Sequence, residues 1–375
     1  MARIWLGFIL IFAVGCSNPI EDVLRSNSKS ITTVMDSLPQ YEVQILFTEI
    51  DSTENGIKFT DHSFQSNKSN YFYPASTVKL PVALLAAEYV SYHPELHLDT
   101  PYSIQGDSVS HTIADDIRQI FAVSDNEAYN RLYEFLGRDI INDRLREKGL
   151  KNTRISHRLS TPNATDRNRK ELQFYPSYES PTFIPESLPD SNVAPLKLKA
   201  LSKGKGFMKN GSLIDAPLDF SLKNYFSLQD QHDLMKQFFF PEKFNENKRF
   251  KIDPLENIRV KKAMVTLPRK AGYDSSTYYD SYGKFFIYGD SKEPIPEHIK
   301  IYNKVGYAYG TLTETAYIVD EKENVQFLLS STVLVNRNRI FNDDIYEYDE
   351  IGIPFLAELG RQFYKYVLSN KVDDL

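Results

Sequence analysis

The segment 73–87 (YPASTVKLPVALLAA) restricts the fold of this chain more than any other part of the sequence. It is apolar on almost every side, and a helix of that kind is stable only when it is buried all round. Pro74 and Pro81 fall at or near its start, where a proline costs a helix least. The chain must therefore fold into layers that enclose a helix carrying Ser76 and Lys79.

Strand-like alternation of apolar and polar residues occurs near both ends of the chain, with helical patterns between. The strand-like segments are 43–48, 57–60, 301–309, 313–319 and 325–335. We expect an α/β fold of the α+β kind, in which a five-stranded antiparallel sheet built from both chain ends is flanked by helices. The predicted domain spans 41–370, with a helical subdomain at about 75–270 inserted in the sheet subdomain.

Two segments allow more than one interpretation. The tyrosine-rich segment 273–288 could form a binding surface, but a hairpin with buried aromatic residues is favoured, because aromatic residues prefer strands. The segment 197–224 could cover a cleft as a lid, and a solvated surface insertion is the favoured alternative.

Composition excludes several classes of function. The chain has 375 residues with 41% hydrophobic and 25% charged residues, which are values of an ordinary globular protein. A net charge of -6 makes nucleic acid a poor partner, because no global field attracts phosphates. The single cysteine excludes intramolecular disulfides and cysteine-based metal sites. The seven histidines are scattered, so no metal and no cofactor is expected.

The N-terminus accounts for the single cysteine. Arg3 precedes the apolar run 4–14, which is too short to span a bilayer. Small residues then lead to Cys16, which resembles the lipidation site of bacterial lipoproteins. We expect a signal peptide over 1–16, a lipid anchor on Cys16, a tether over 17–40 and a location in the bacterial cell envelope, facing the periplasm or the exterior. A plain signal peptide with a chance cysteine is the alternative.

Three short motifs stand in order along the chain: Ser76-Thr77-Val78-Lys79, Ser124-Asp125-Asn126 and Lys304-Val305-Gly306. Residues three apart share a helix face, so Lys79 can reach the Ser76 hydroxyl and accept its proton if burial lowers the pKa of the lysine. The helix N-terminus also offers N–H groups to a developing oxyanion. Each motif alone is weak evidence for a catalytic site. Their order along the chain and the helices and strands predicted around them argue against a coincidence.

The three motifs together resemble the signature of class A β-lactamases and penicillin-binding proteins. The likeness covers about 41–368 and is densest over 73–87, 124–155 and 303–320, whereas extra residues between 156 and 254 find no match. The resemblance implies a serine hydrolase that acts on a small-molecule acyl donor through an acyl-enzyme, without a cofactor. We expect it to be a monomer.

The resemblance also implies a role for each motif residue. Ser76 would be the nucleophile and Lys79 its activating partner, while Ser124 would pass a proton to the leaving nitrogen. Lys304 would attract the substrate carboxylate and tune Ser124. Four residues would bind substrate: Asn126 through its amide, Tyr307 through a backbone N–H that forms the oxyanion hole with that of Ser76, and Val305 and Gly306 through their place on the strand.

The sequence departs from the class A pattern at two places. Val305 stands where the family has a hydroxyl residue, and it cannot hydrogen-bond to a carboxylate. The segment 154–160 carries no carboxylate where class A enzymes have the Glu that activates the deacylating water. His157, Asp166, Glu171 and Glu314 are remaining candidates for that base. Loss of a general base costs on the order of 10² to 10⁴ in rate, so slow deacylation is expected.

Three functions stay open on this basis. The first is a β-lactamase-like hydrolase that opens a β-lactam ring through a Ser76 acyl-enzyme. The second is a penicillin-binding D-Ala-D-Ala peptidase or another amidase or esterase, which the missing Glu favours. The third is a lipoprotein that binds cell-wall ligands without catalysis, against which the intact motif residues argue.

Overall fold

The structure is a computed structural model that describes residues 18–54, 56–177 and 182–372. The predicted signal peptide and Cys16 lie outside these residues. The helices are α1 Pro19–Leu24, α2 Lys29–Met35, α3 Leu38–Tyr41, α4 Lys79–Ser91, α5 Ile113–Val123, α6 Asn126–Leu136, α7 Arg138–Glu147, α8 Leu228–Phe239, α9 Pro254–Val265 and α10 Ile353–Val372.

A five-stranded antiparallel sheet is the centre of the fold. Its strands are β1 Gln44–Thr53, β2 Gly56–Phe64, β11 Ile299–Ala308, β12 Thr311–Asp320 and β13 Val325–Leu334, in the order β11-β12-β13-β1-β2. Pairing of β1 with β13 joins the two ends of the chain in one sheet. The predicted fold class is therefore confirmed.

Shorter strands lie in the segments that connect these helices and strands. They are β3 Tyr102–Ile104, β4 Thr153–Arg154, β5 Leu172–Phe174, β6 Ser202–Lys203, β7 Gly206–Lys209, β8 Ser212–Ile214, β9 Leu218–Asp219, β10 Tyr225–Phe226 and β14 Ile340–Phe341. The pair β4–β10 joins the segment after α7 to the segment before α8.

Apolar side chains pack on both faces of the sheet. One core lies between the sheet and the helices α4 to α9, and α4 runs through it with nearly every side chain buried. The other core lies between the opposite face and the helices α1, α2 and α10, where the rings of Phe47 and Phe363 stack with centroids 4.4 Å apart. The predicted enclosure of the apolar helix is thus met by a three-layer arrangement.

The structure differs from two expectations. Of the predicted tether over 17–40, the described residues 18–40 fold instead into α1, α2 and most of α3, and Ile20, Val23, Ile31 and Val34 are buried in the core beside α10. The apolar residues of this segment recur at helical spacing, so helices can form and bury their apolar face against the sheet layer. The predicted hairpin over 273–288 is wrong, because that segment forms successive turns without a strand.

Candidate active site

Ser76 lies in a tight turn that leads into the buried helix. A 3₁₀ helix over Ala75–Val78 runs directly into α4, and Thr77 donates its hydroxyl to the Pro74 carbonyl at 2.7 Å. Ala75 has a φ of 46°, in the left-handed region that non-glycine residues rarely adopt. Strained backbone of this kind persists only where its surroundings hold it, and it is common at functional sites.

Lys79 is fully buried and its amine contacts both motif serines and the motif asparagine. Its Nζ lies 2.9 Å from Ser76 Oγ, 2.7 Å from Asn126 Oδ1 and 3.2 Å from Ser124 Oγ, and it also donates to the Ser124 carbonyl. These contacts bring α4 to the junction of α5 and α6. No carboxylate of the described residues forms an ion pair with this amine.

Burial lowers the pKa of Lys79 to about 7, against a smaller opposing effect of Asp125. A neutral amine has two N–H donors and one lone pair. The Ser124 carbonyl and Asn126 Oδ1 can only accept, so they take the two donors. The lone pair is then left for the Ser76 hydroxyl, which is the arrangement of a base beside a nucleophile.

Ser124 connects Lys79 to the sheet. It ends α5 in the left-handed conformation with a φ of 59°, and Asp125 then caps α6 by accepting the N–H of Ala128 at 2.8 Å. Lys304 on β11 donates to Ser124 Oγ at 2.8 Å and is itself buried. Burial and the neighbouring charge of Lys79 hold the pKa of Lys304 well below its usual range. The Ser124 hydroxyl thus lies between two amines.

Gly306 allows β11 to pass close to the nucleophile turn. A Cβ at this position would lie 2.6 Å from the Pro74 carbonyl oxygen and 2.8 Å from the Ser76 nitrogen. The next residue, Tyr307, is half exposed and lines the cleft. Val305 also borders the cleft, and it is buried in the core behind the strand.

The cleft has a volume of about 640 Å³ and is bordered opposite β11 by the segment 157–161. Leu159 is fixed there because its N–H donates to Asn130 Oδ1 at 2.8 Å and its carbonyl accepts from Asn130 Nδ2 at 2.9 Å. Ser160 Oγ accepts from Asn126 Nδ2 at 3.0 Å, which orients the amide that contacts Lys79. An apolar side chain and a hydroxyl therefore face the site where a deacylating base was sought.

None of the four candidate bases is placed for that task. The His157 ring contacts the Arg158 carbonyl through Nδ1 at 2.6 Å and the Asn224 N–H through Nε2 at 3.4 Å, and burial lowers its pKa to about 4. Glu314 is buried beneath the sheet, where it accepts the Phe286 N–H at 2.6 Å. Asp166 and Glu171 do not border the cleft.

Comparison with known proteins identifies a matching family model and solved structures of similar fold. Residues 27–177 match the model of the β-lactamase enzyme family, which is less than half of the chain. A β-lactamase from Xanthomonas campestris superposes with a TM-score of 0.53 at 12% identity, over 93% of this chain and 99% of that one. PBP-A superposes with a TM-score of 0.53 at 14% identity, over 96% and 97% of the two chains.

The chain has the β-lactamase fold. A mutant of PBP-A, solved as an acyl-enzyme complex with penicillin G, is similar at 13% identity with a TM-score of 0.52 over 96% of this chain and 97% of that one. No protein matches significantly in the comparison with curated proteins. The resemblance to β-lactamases and penicillin-binding proteins that the motifs predicted is confirmed.

The β-lactamase fold brings together the motif residues that lie in the described part of the chain. It also adds cleft residues that the sequence did not indicate, namely Tyr73, Leu159, Ser160, Lys223, Tyr282, Tyr309, Asp344, Tyr346 and Tyr348. Of these residues only Tyr282 lies in the tyrosine-rich segment 273–288, for which a binding surface was one of the two interpretations. Tyr73 and Tyr309 adjoin the first and third motifs, Leu159 and Ser160 belong to the segment 154–160, and Lys223 belongs to the segment 197–224. Asp344, Tyr346 and Tyr348 come from a segment that carries no motif and reach the cleft only through the fold.

Replacing Gly306 should test how much the site depends on the close approach of β11. We expect Gly306→Ala to slow modification of Ser76 by benzylpenicillin by on the order of 10²-fold, because the added Cβ must displace the nucleophile turn. Time courses of intact mass measure the rate. Gly283→Ala is the matched control, since a Cβ there meets no atom nearer than 3.9 Å. Equal rates for both variants would contradict the prediction.

Proposed function

We propose that this protein is a serine hydrolase that cleaves an amide through an acyl-enzyme on Ser76. The observation that carries the proposal is the contact of the buried Lys79 amine with Ser76 Oγ at 2.9 Å. Lys79 takes the proton of the hydroxyl as Ser76 Oγ attacks the carbonyl carbon. The N–H groups of Ser76 and Tyr307, on the facing turn and strand, would together stabilise the oxyanion.

Ser124 completes the first half of the reaction. Its hydroxyl lies within hydrogen-bond distance of both Lys79 and Lys304, so a proton can pass from Lys79 through Ser124 to the leaving nitrogen. Lys304 provides a positive charge that attracts a carboxylate on the leaving side of the substrate. Asn126, oriented by Ser160, offers its amide to the amide on the acyl side.

We further propose that the acyl-enzyme is long-lived, so that the activity is of the penicillin-binding type rather than that of a β-lactamase. The specific observation is the composition of the segment 157–161, which presents Leu159 and Ser160 to the site. The neighbour PBP-A, captured in mutant form as an acyl-enzyme with penicillin G, supports this choice. Fast hydrolysis of a β-lactam by this fold would require a free base in the segment 157–161, where the His157 ring is engaged by the Arg158 carbonyl and the Asn224 N–H.

Intact-mass analysis of residues 18–375 with benzylpenicillin and a cephalosporin tests both proposals. We expect a stable adduct of one drug molecule on the wild type and none on Ser76→Ala, because Ser76 is the nucleophile. A transient adduct with drug consumption would contradict slow deacylation and indicate a β-lactamase. An unmodified wild type would contradict acylation altogether and favour a binding protein without catalysis.

The pH dependence of acylation should follow Lys79. The reactive form has a neutral amine, and the pKa of Lys79 is lowered to about 7. The rate of adduct formation should therefore be maximal above pH 7 and decline below it, approaching a tenfold loss per pH unit. The second-order rate measured between pH 5 and 9 checks this. A rate that is flat across this range would exclude Lys79 as the titrating base.

We also propose that the protein is anchored to the bacterial cell envelope by acyl chains on Cys16. The proposal depends on the sequence pattern that ends at this residue. Among residues 18–54, 56–177 and 182–372, no helix is long and apolar enough to cross a bilayer. Incorporation of labelled palmitate in cells, abolished by Cys16→Ser, is the expected result, and unlabelled protein would contradict it.

A further inference from the structure

Lys223 is a cleft residue that the proposed acylation mechanism does not use. It lies just before β10, and its N–H donates to the Phe220 carbonyl at 2.9 Å, which places it one turn from Phe220. Lys223 borders the same cleft as Ser76. Its charge is close enough to His157, on the neighbouring wall, to help lower the pKa of that ring.

The Lys223 ammonium differs from the other cations of the site in having no partner. Lys79 and Lys304 are hydrogen-bonded to motif residues, and Arg158 forms an ion pair with Glu134 at 2.6 Å. Lys223 is half buried, yet its ammonium makes no hydrogen bond or ion pair with another described residue. Burial alone lowers its pKa, and no neighbouring carboxylate offsets the cost.

The position of Lys223 assigns it to the acyl side of the cleft. Lys304 marks the leaving side, and β11 runs from there to Ala308, four residues or about 13 Å further along. Tyr309 follows, and its ring meets that of Phe220 with centroids 5.3 Å apart. The Tyr73 ring, which comes three residues before Ser76, joins the same cluster. Lys223 therefore lies near the Tyr309 end of β11, beyond the end of the strand that is further from Lys304.

We infer that Lys223 binds a carboxylate on the acyl part of the substrate, so that the acyl donor carries carboxylates on both sides of the scissile amide. The inference rests on the proposed function. Asp344 is the carboxylate that borders the cleft, and it would repel such a group. It is exposed, however, so water screens its charge more than that of the half-buried Lys223. The charge of Lys223 therefore outweighs that of Asp344, and this part of the cleft prefers a carboxylate.

Three penicillins that differ only in the substituent on one carbon of the acyl side chain test the inference. Benzylpenicillin is uncharged at the carbon next to the side-chain carbonyl, carbenicillin has a carboxylate there, and ampicillin has an ammonium. Second-order acylation rates are measured for each drug with the wild type and with Lys223→Met. The matched control is Lys209→Met, which removes an exposed lysine of β7 away from the cleft.

In the wild type we expect the carbenicillin rate to exceed the ampicillin rate. The ratio of the carbenicillin rate to the benzylpenicillin rate should fall roughly tenfold in Lys223→Met, the effect of losing one hydrogen bond between charged groups. In Lys209→Met the ratio should not change. A ratio unaffected by Lys223→Met, or a wild type that prefers ampicillin, would overturn the inference and leave acylation intact.

A binding measurement on Ser76→Ala separates this inference from the proposed function. This variant cannot form the adduct, so calorimetric titration reports recognition alone. Tighter binding of carbenicillin than of benzylpenicillin, lost when Lys223→Met is added, supports the subsite even if wild-type acylation fails. Equal affinities of the two drugs overturn the subsite, whatever the acylation rates show.

Discussion

The burial of the Lys79 amine is the constraint on which the rest of the site depends. An ammonium taken out of water without a carboxylate partner is costly, and the cost is relieved by neutralisation and by hydrogen bonds to every available acceptor. The left-handed turn at Ser124 presents its carbonyl and hydroxyl to the amine, and Asn126 adds a third acceptor. The groups that accept hydrogen bonds from the buried Lys79 amine are also the groups that a proton relay needs.

The sheet and the helical layer each supply part of this site, and neither is sufficient alone. The helices hold Ser76, Lys79 and Ser124, whereas the sheet contributes Lys304 and the strand that faces the nucleophile. The absence of a side chain at Gly306 lets the two layers approach closely enough to share the cleft. Placing Lys304 near Lys79 adds like-charge repulsion, which together with burial lowers the pKa of Lys304.

The cleft wall distinguishes this chain from the class A pattern that its motifs resemble. Leu159 is held by two backbone hydrogen bonds with the Asn130 side chain, which donates one and accepts the other. The buried pair of Arg158 and Glu134 fixes the same segment to α6. A wall that has an apolar residue and no carboxylate at this position supports the proposal of an acyl-enzyme that forms more readily than it is hydrolysed.

The sequence by itself determined the sheet, the buried helix and the motif residues. Periodicity is local, and three short motifs carry their chemistry in adjacent residues such as Ser76 and Lys79. Only the tertiary structure decided that 18–40 packs against the sheet layer, that 273–288 forms turns, and that Leu159 and Lys223 border the cleft. These outcomes depend on which surface each segment meets, and contacts between residues far apart in the chain leave no pattern in either segment alone.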